Sequence, residues 1–146
     1  MDDMKMTKGL FSSESIHWAT PKELYDSLDS EFQFNDDPCP LYGNGGLDRD
    51  WGTSTYCNPP YGRKICLWLE KALKESTQGK TVVCLIPSRT DTKWWHDYVM
   101  KASEIRFLKG RLKFGGSKNT APFPSALAIF RGMDRRREWL VKCVSS

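Results

Sequence analysis

The chain has 146 residues, of which 39% are hydrophobic, 27% charged and 12% aromatic; this composition excludes a disordered chain, and the length excludes a multidomain enzyme, leaving one soluble globular domain. The net charge of +4 is uneven: residues 1–100 hold 11 Lys and Arg against 15 Asp and Glu, and residues 101–146 hold 11 against 3, which suits a polyanion-binding face or a solvated basic surface. The longest strongly apolar run, Val82 to Ile86, is far below the roughly 20 residues that span a bilayer, and no basic-then-apolar leader opens the chain, so no membrane contact or secretion is expected.

Residues 1–15 are polar, Met-rich and aperiodic, which reads as a flexible tail ahead of a single domain over 16–146. Thr20-Pro21-Lys22-Glu23 predicts a capping box, with Thr20 as the cap, Pro21 at the first helical position and Glu23 reaching back. Leu24, Tyr25 and Leu28 share one face of the helix that follows, to about Asp29. Phe32 to Asn35 alternates with period two and predicts a strand delivering Asp36, Asp37 and Pro38 to a turn, and Gly43 to Gly46 is a loop. Thr53 to Cys57 is the next strand, and a helix runs from about Lys64 to Ser76, with Trp68, Leu69, Ala72 and Leu73 on one face.

Thr81 to Ile86 is apolar on both faces, the mark of an interior strand, and Pro87 ends it. Trp94, Trp95, Tyr98, Val99 and Ala102 recur at helical spacing and predict a helix over Thr92 to Ala102. Glu104 to Leu108, Arg111 to Phe114 and Ser125 to Phe130 are the remaining strands. Strands alternating with helices predict an α/β fold on a mostly parallel sheet flanked by helices, with ligands at the carboxyl ends of the strands. Five scattered cysteines form no C-x-x-C pair, and only His17 and His96 join them. The expectation is a reducing cytoplasm, no metal, and Cys as a small buried hydrophobe.

Asn58-Pro59-Pro60-Tyr61 carries the chemistry. Two prolines lock φ and remove two N–H donors, so the turn is stiff while the carbonyls of Asn58 and Pro59 keep their ability to accept. An exocyclic amine has two N–H donors and a lone pair delocalised into its ring, which makes it a poor nucleophile. The Asn58 side-chain oxygen and the Pro59 carbonyl can bind both hydrogens and favour a pyramidal nitrogen, and Tyr61 offers a flat face for stacking, worth about 1–3 kcal/mol per base in single-strand binders. A plain Pro-Pro turn between a strand and a helix is the other use of such a segment.

In chain order, His17 to Pro21, Phe34 to Cys39, Asp48 to Trp51, Tyr56 to Tyr61, Ile86 to Trp94, Gly110 to Phe114 and Ala121 to Ser125 resemble the phage-type DNA N6-adenine methyltransferases, a short Dam-like branch that uses S-adenosylmethionine. The resemblance covers roughly residues 17–131. It implies a compact Rossmann-like methyltransferase fold, with Asn58, Pro59, Pro60 and Tyr61 catalytic and with Trp18, Thr20, Pro21, Asp36, Asp37, Pro38, Cys39 and Asp48 around the cofactor. The Thr20-Pro21 segment is the part implied to touch the methionine carboxylate, and Asp48 the adenosine. The glycine-rich cofactor loop usual in broader amino-methyltransferases is missing after Cys39, and Asn58 stands where Dam-like enzymes often have Asp.

The implied activity is methyl transfer to the N6 of an adenine flipped from double-stranded DNA, in the cytoplasm of a bacterial host if the chain is phage-encoded. Arg89, Arg111, Lys113 and Lys118 are candidate DNA contacts, against helix capping for the Arg89 loop and a solvated hairpin for residues 110–118. Trp94 and Trp95 suit either the core or a base platform. Methylation of a glutamine amide in protein, which presents the same two N–H donors, and a non-catalytic nucleic-acid-binding module are the competing readings.

Overall fold

The computed structural model describes residues 19–40, 45–114 and 120–132, and the backbone of 140–145. The expected tail over residues 1–15, Trp18 and Lys118 lie outside them. Helix α1 (Lys22–Phe32) comes first, followed by a 3-10 turn (Gly46–Asp48), β1 (Ser54–Cys57), α2 (Ile65–Ser76) and β2 (Thr81–Pro87). Helix α3 (Lys93–Asp97), a second 3-10 turn (Val99–Lys101), β3 (Glu104–Lys109), β4 (Ser125–Arg131) and β5 (Leu140–Ser145) complete the order.

The five strands form one sheet in the order β1-β2-β4-β3-β5. β1 and β2 are parallel, as are β3 and β5, and β4 runs antiparallel to both of its neighbours. The expected mostly parallel sheet is therefore a mixed one. The reason lies in the connections: a parallel neighbour requires a crossover of a dozen or more residues, usually a helix. α2 provides one between β1 and β2, whereas the described residues between β3 and β4 contain no helix. β2 is nonetheless interior as expected, with Val82 to Pro87 all buried, and so is β4 from Ser125 to Phe130.

Side chains alternate across the sheet. Tyr56 of β1 meets Tyr25 of α1 edge-on at 5.1 Å on one face, and Phe107 of β3 stacks on Trp95 of α3 at 6.1 Å on the other. α2 shares the α3 face, where the Tyr98 hydroxyl donates to Glu70 at 3.0 Å. Trp95 is thus core, while Trp94 is half-buried.

Three expected elements differ. Phe32 belongs to α1, and Gln33 ends that helix at φ 50°, so Phe34 to Asp36 makes only an isolated parallel bridge, Asp36 to Thr55, beside β1. The helix over Thr92 to Ala102 stops at Asp97, because Tyr98 leaves helical dihedrals (φ −122°, ψ −51°) and the chain tightens into a 3-10 turn; Thr92 caps it by accepting from the Trp95 N–H. Arg111 to Phe114 is not a strand; among the described residues, the Ala121 N–H donates to the Leu112 carbonyl at 2.8 Å.

The C-terminal end of α1 is clamped to the sheet by charge. Arg106 donates to both Glu31 oxygens at 2.6 Å, and Arg106 and Arg131 both reach the buried Glu104. Burial pushes the Glu104 carboxyl up, but the two arginines outweigh it and hold it below its ordinary value. The Phe32 ring lies against both guanidinium groups, at 5.6 and 5.7 Å. This clamp fixes the axis of α1 and so places its first residues over the end of β1.

Candidate active site

Asn58 follows the last residue of β1 and is 3% exposed. The stiff Pro59-Pro60 turn carries the chain away toward α2. The Asn58 amide nitrogen donates to the Thr20 hydroxyl at 3.1 Å, and that hydroxyl is 2.5 Å from the Tyr56 hydroxyl. The capping box expected at Thr20 is absent: Pro21 occupies the cap position, no side chain caps α1, and the helix opens with the Tyr25 N–H donating to the Pro21 carbonyl. Thr20 is turned toward β1 instead.

A cleft of about 360 Å³ opens beside this trio. Ala19, Thr20, Lys22 and Tyr25 form one wall, Asp37, Cys39 and Pro40 another, and Tyr56 and Asn58 the end. A second cavity, of about 210 Å³, lies on the other side of Cys39, between Pro38 and the Gly45 to Asp48 turn, with Trp68 of α2 behind it. Gly46 abuts Pro38 so closely that a Cβ there would stand 2.0 Å from the Pro38 carbonyl oxygen. The Gly45 to Asp48 turn is held by Trp51, whose indole N–H donates to the Gly46 carbonyl at 2.7 Å and whose backbone N–H donates to the buried Glu75 at 3.0 Å.

The neighbouring carboxylates Asp36 and Asp37 are used differently. Asp36 accepts two bonds from Arg49, at 2.7 and 2.9 Å, and one from the Gly52 N–H, and the Arg49 guanidinium holds its carboxyl below the usual range. It frames the bridge to β1 and lines neither cavity. Asp37 faces the cleft and accepts from the Cys39 N–H at 3.2 Å, and burial raises its carboxyl. Burial also pushes the Cys39 thiol up to about 12, so it is an uncharged wall between the two cavities.

Tyr61 lies beyond the prolines and lines neither cavity. Its hydroxyl donates to the Leu85 carbonyl at 3.2 Å, and its ring makes edge-type contacts with Phe114 and Phe123 at 6.4 and 5.4 Å. The Arg89 guanidinium, on the loop after β2, sits over Phe123 at 5.9 Å. Arg89, Arg111 and Lys113 are all exposed.

The structure thus gathers Thr20, Asp37, Cys39 and Asn58 in the first cavity, and Pro38, Cys39 and Asp48 in the second. It adds Lys22, Tyr25, Tyr56 and Gly46, which the motif reading did not single out. For Gly46 the signal was present, since four Gly and Asn residues in a row follow the Asp36 to Cys39 segment closely. Tyr25 carried no signal beyond core periodicity, and Tyr56 stood in the block that ends at Tyr61 without a role of its own.

The DNA N-6-adenine-methyltransferase (Dam) family model matches residues 9–137. The chain is similar to a DNA N-6-adenine-methyltransferase of Haemophilus phage HP1, 28% identical over 110 residues, which cover 66% of this chain and 64% of the phage protein. The alignment thus spans less than two thirds of that relative. No solved structure matches the chain. With nearly the whole described sheet and both cavities inside the matched span, the chain belongs to the Dam family of DNA N-6-adenine-methyltransferases.

Proposed function

We propose that the protein moves a methyl group from S-adenosylmethionine to the exocyclic N6 of an adenine flipped out of double-stranded DNA, on a Rossmann-like methyltransferase fold. The observation that carries the reading is Asn58, buried at the end of β1 in the wall of a cleft that lies at the carboxyl ends of adjacent parallel elements. Such sheet ends are where α/β folds bind ligands.

The two cavities, which share Cys39 as a lining residue, together fall in the roughly 300–1,000 Å³ range of small-molecule sites. Their polar groups suit an amino-acid sulfonium linked to a nucleoside. Lys22 can meet a carboxylate and Asp37 an ammonium in the first cavity, and Asp48 can meet ribose hydroxyls beside Leu47 and Trp68 in the second. When bound, the cofactor supplies an electrophilic methyl group.

The chain's own work is positioning. Asn58 and the Pro59 carbonyl take the two N–H groups of the target amine and so free its lone pair. Pro60 keeps that turn stiff. Tyr61, buried with its plane fixed by Leu85, Phe114 and Phe123, would stack on the base only where an entering base opens a space beside it. Arg89, Arg111 and Lys113 hold phosphates, and base flipping costs a few kcal/mol, offset by such contacts. No general base is needed, because the methylated ammonium is acidic enough to lose its proton to water.

The test is calorimetry with S-adenosylmethionine, followed by transfer from methyl-labelled cofactor to duplex DNA and, separately, to protein. Cofactor binding with label recovered as N6-methyladenine is expected. Label on glutamine alone, or no cofactor binding, contradicts the proposal.

A further inference from the structure

We propose that Thr20 is a positioning residue for Asn58, setting which end of its amide faces the acceptor nitrogen, rather than a contact for the cofactor's carboxylate. The inference rests on the methyl-transfer reading above.

An asparagine amide is pseudo-symmetric: turned one way it offers substrate an oxygen acceptor, turned the other way an N–H donor. Only the first orientation can take a hydrogen from an exocyclic amine. Something must therefore hold the nitrogen end, and Thr20 does so from 38 residues earlier in the chain, accepting from the amide nitrogen at 3.1 Å. A hydroxyl can donate as well as accept, so the bias comes from giving the Thr20 proton to the Tyr56 hydroxyl, one of the two senses that the 2.5 Å bond allows; only lone pairs then face the amide, attracting its N–H and repelling its oxygen. The Tyr56 hydroxyl, 2.5 Å from the Thr20 oxygen and inside the core, fixes the threonine rotamer in turn.

The backbone shows the same assignment. Thr20 is well suited to cap a helix, and a side-chain cap contributes about 0.5–2 kcal/mol. The start of α1 nonetheless has no side-chain cap, and the hydroxyl is committed to β1. The Glu31–Arg106 and Arg131–Glu104 clamp at the far end of α1 sets where that helix starts, and with it the distance from Thr20 to Asn58.

Three variants test this. Thr20→Val keeps the shape and removes the hydroxyl, Thr20→Ser restores it, and Tyr56→Phe removes the group that holds it. In Thr20→Val we expect kcat to fall about 10- to 100-fold, the loss that misplacing a reacting group brings. The dissociation constant for S-adenosylmethionine and the KM for DNA should stay within about twofold, and Thr20→Ser should recover most of kcat. Retained kcat at saturating cofactor with cofactor affinity weakened tenfold or more would overturn the proposal in favour of a carboxylate contact. A second readout needs neither substrate nor turnover: in the unliganded protein the Asn58 side-chain amide resonances, identified by their absence in Asn58→Ala, should shift in Thr20→Val and in Tyr56→Phe but hardly in Thr20→Ser. Unmoved resonances in both Thr20→Val and Tyr56→Phe overturn the proposal. A wild-type protein that methylates nothing would sink the methyl-transfer reading and leave this spectroscopic arm standing on its own, and if Thr20→Val does not fold, Tyr56→Phe carries the same measurements.

Discussion

Glu75→Gln probes the framework that shapes the second cavity. The Glu75 carboxylate is 3% exposed and accepts from Lys80 at 2.5 Å, Lys71 at 3.0 Å and the Trp51 N–H at 3.0 Å. Burial pushes its carboxyl up, yet these three donors outweigh burial and hold it at about 2, against an ordinary 4.5. A folded-state value below the unfolded one means that the stabilisation is fully present above about pH 4.5 and is lost as pH falls from there toward about 2. A difference of that size corresponds to about 3 kcal/mol. The substitution also leaves two lysines, whose side chains are only 14% and 18% exposed, without their counter-charge, and breaking such a buried pair costs about 3–5 kcal/mol. Urea unfolding as a function of pH should show the variant about 3 kcal/mol less stable than wild type at pH 7, with the gap closing as the pH approaches the folded-state value. A gap under about 1 kcal/mol at pH 7, typical of an exposed pair, or a gap that persists unchanged through the acid range, refutes the reasoning. Trp51 links Glu75 to Gly46, so cofactor affinity should fall with stability.

Other substitutions separate the remaining parts. Gly46→Ala places a Cβ 2.0 Å from the Pro38 carbonyl oxygen, so the turn must shift; calorimetry should show S-adenosylmethionine binding weakened at least about tenfold, with overpacking costing about 1–3 kcal/mol in urea unfolding. Arg89→Gln should weaken DNA binding and lower the slope of log affinity against log salt by about 1, as read by fluorescence anisotropy, with cofactor affinity unchanged. Tyr61→Phe removes the bond to the Leu85 carbonyl and should cost about 1 kcal/mol of stability while keeping the ring for stacking, so kcat/KM should stay within about threefold, whereas Tyr61→Ala should lose the stacking contribution of about 1–3 kcal/mol.

Element types were legible wherever one physical signal dominated. The continuous apolar runs of β2 and β4 marked interior strands because they are short and bounded by Gly and Pro, which favours a strand covered on both faces over a buried helix, and the spacing of Trp68, Leu69 and Ala72 marked the buried face of α2. Phe32 to Asn35 misled because a period-two pattern also arises where a helix ends: Phe32 closes α1, Gln33 reverses the chain, and Phe34 stacks back on Phe32 at 5.9 Å. The direction of β4 was hidden since strand patterning carries no polarity; only the absence of a helix among the described residues before it bears on that.

At the candidate site, the position of Asn58 at the end of β1 was readable because a short strand stopped by two prolines is a local signal. The Thr20 capping signal was misleading because a hydroxyl that can serve a neighbouring helix can equally serve a residue 38 positions away. Asp36 and Asp37 look alike in sequence, and only Arg49 and the Gly52 N–H, brought in from a later loop, commit one of them to the framework. The Gly43 to Gly46 run marked a loop, but the approach of Gly46 to Pro38 is a distance that no residue pattern encodes.

The most direct measurement maps methylated bases in plasmid DNA from cells that lack adenine methylation of their own and express either this protein or Asn58→Ala. The account predicts N6-methyladenine with the wild-type chain and its loss with Asn58→Ala at equal expression. Unmethylated adenine with a folded, cofactor-binding wild-type protein, or methylation undiminished by Asn58→Ala, would contradict it.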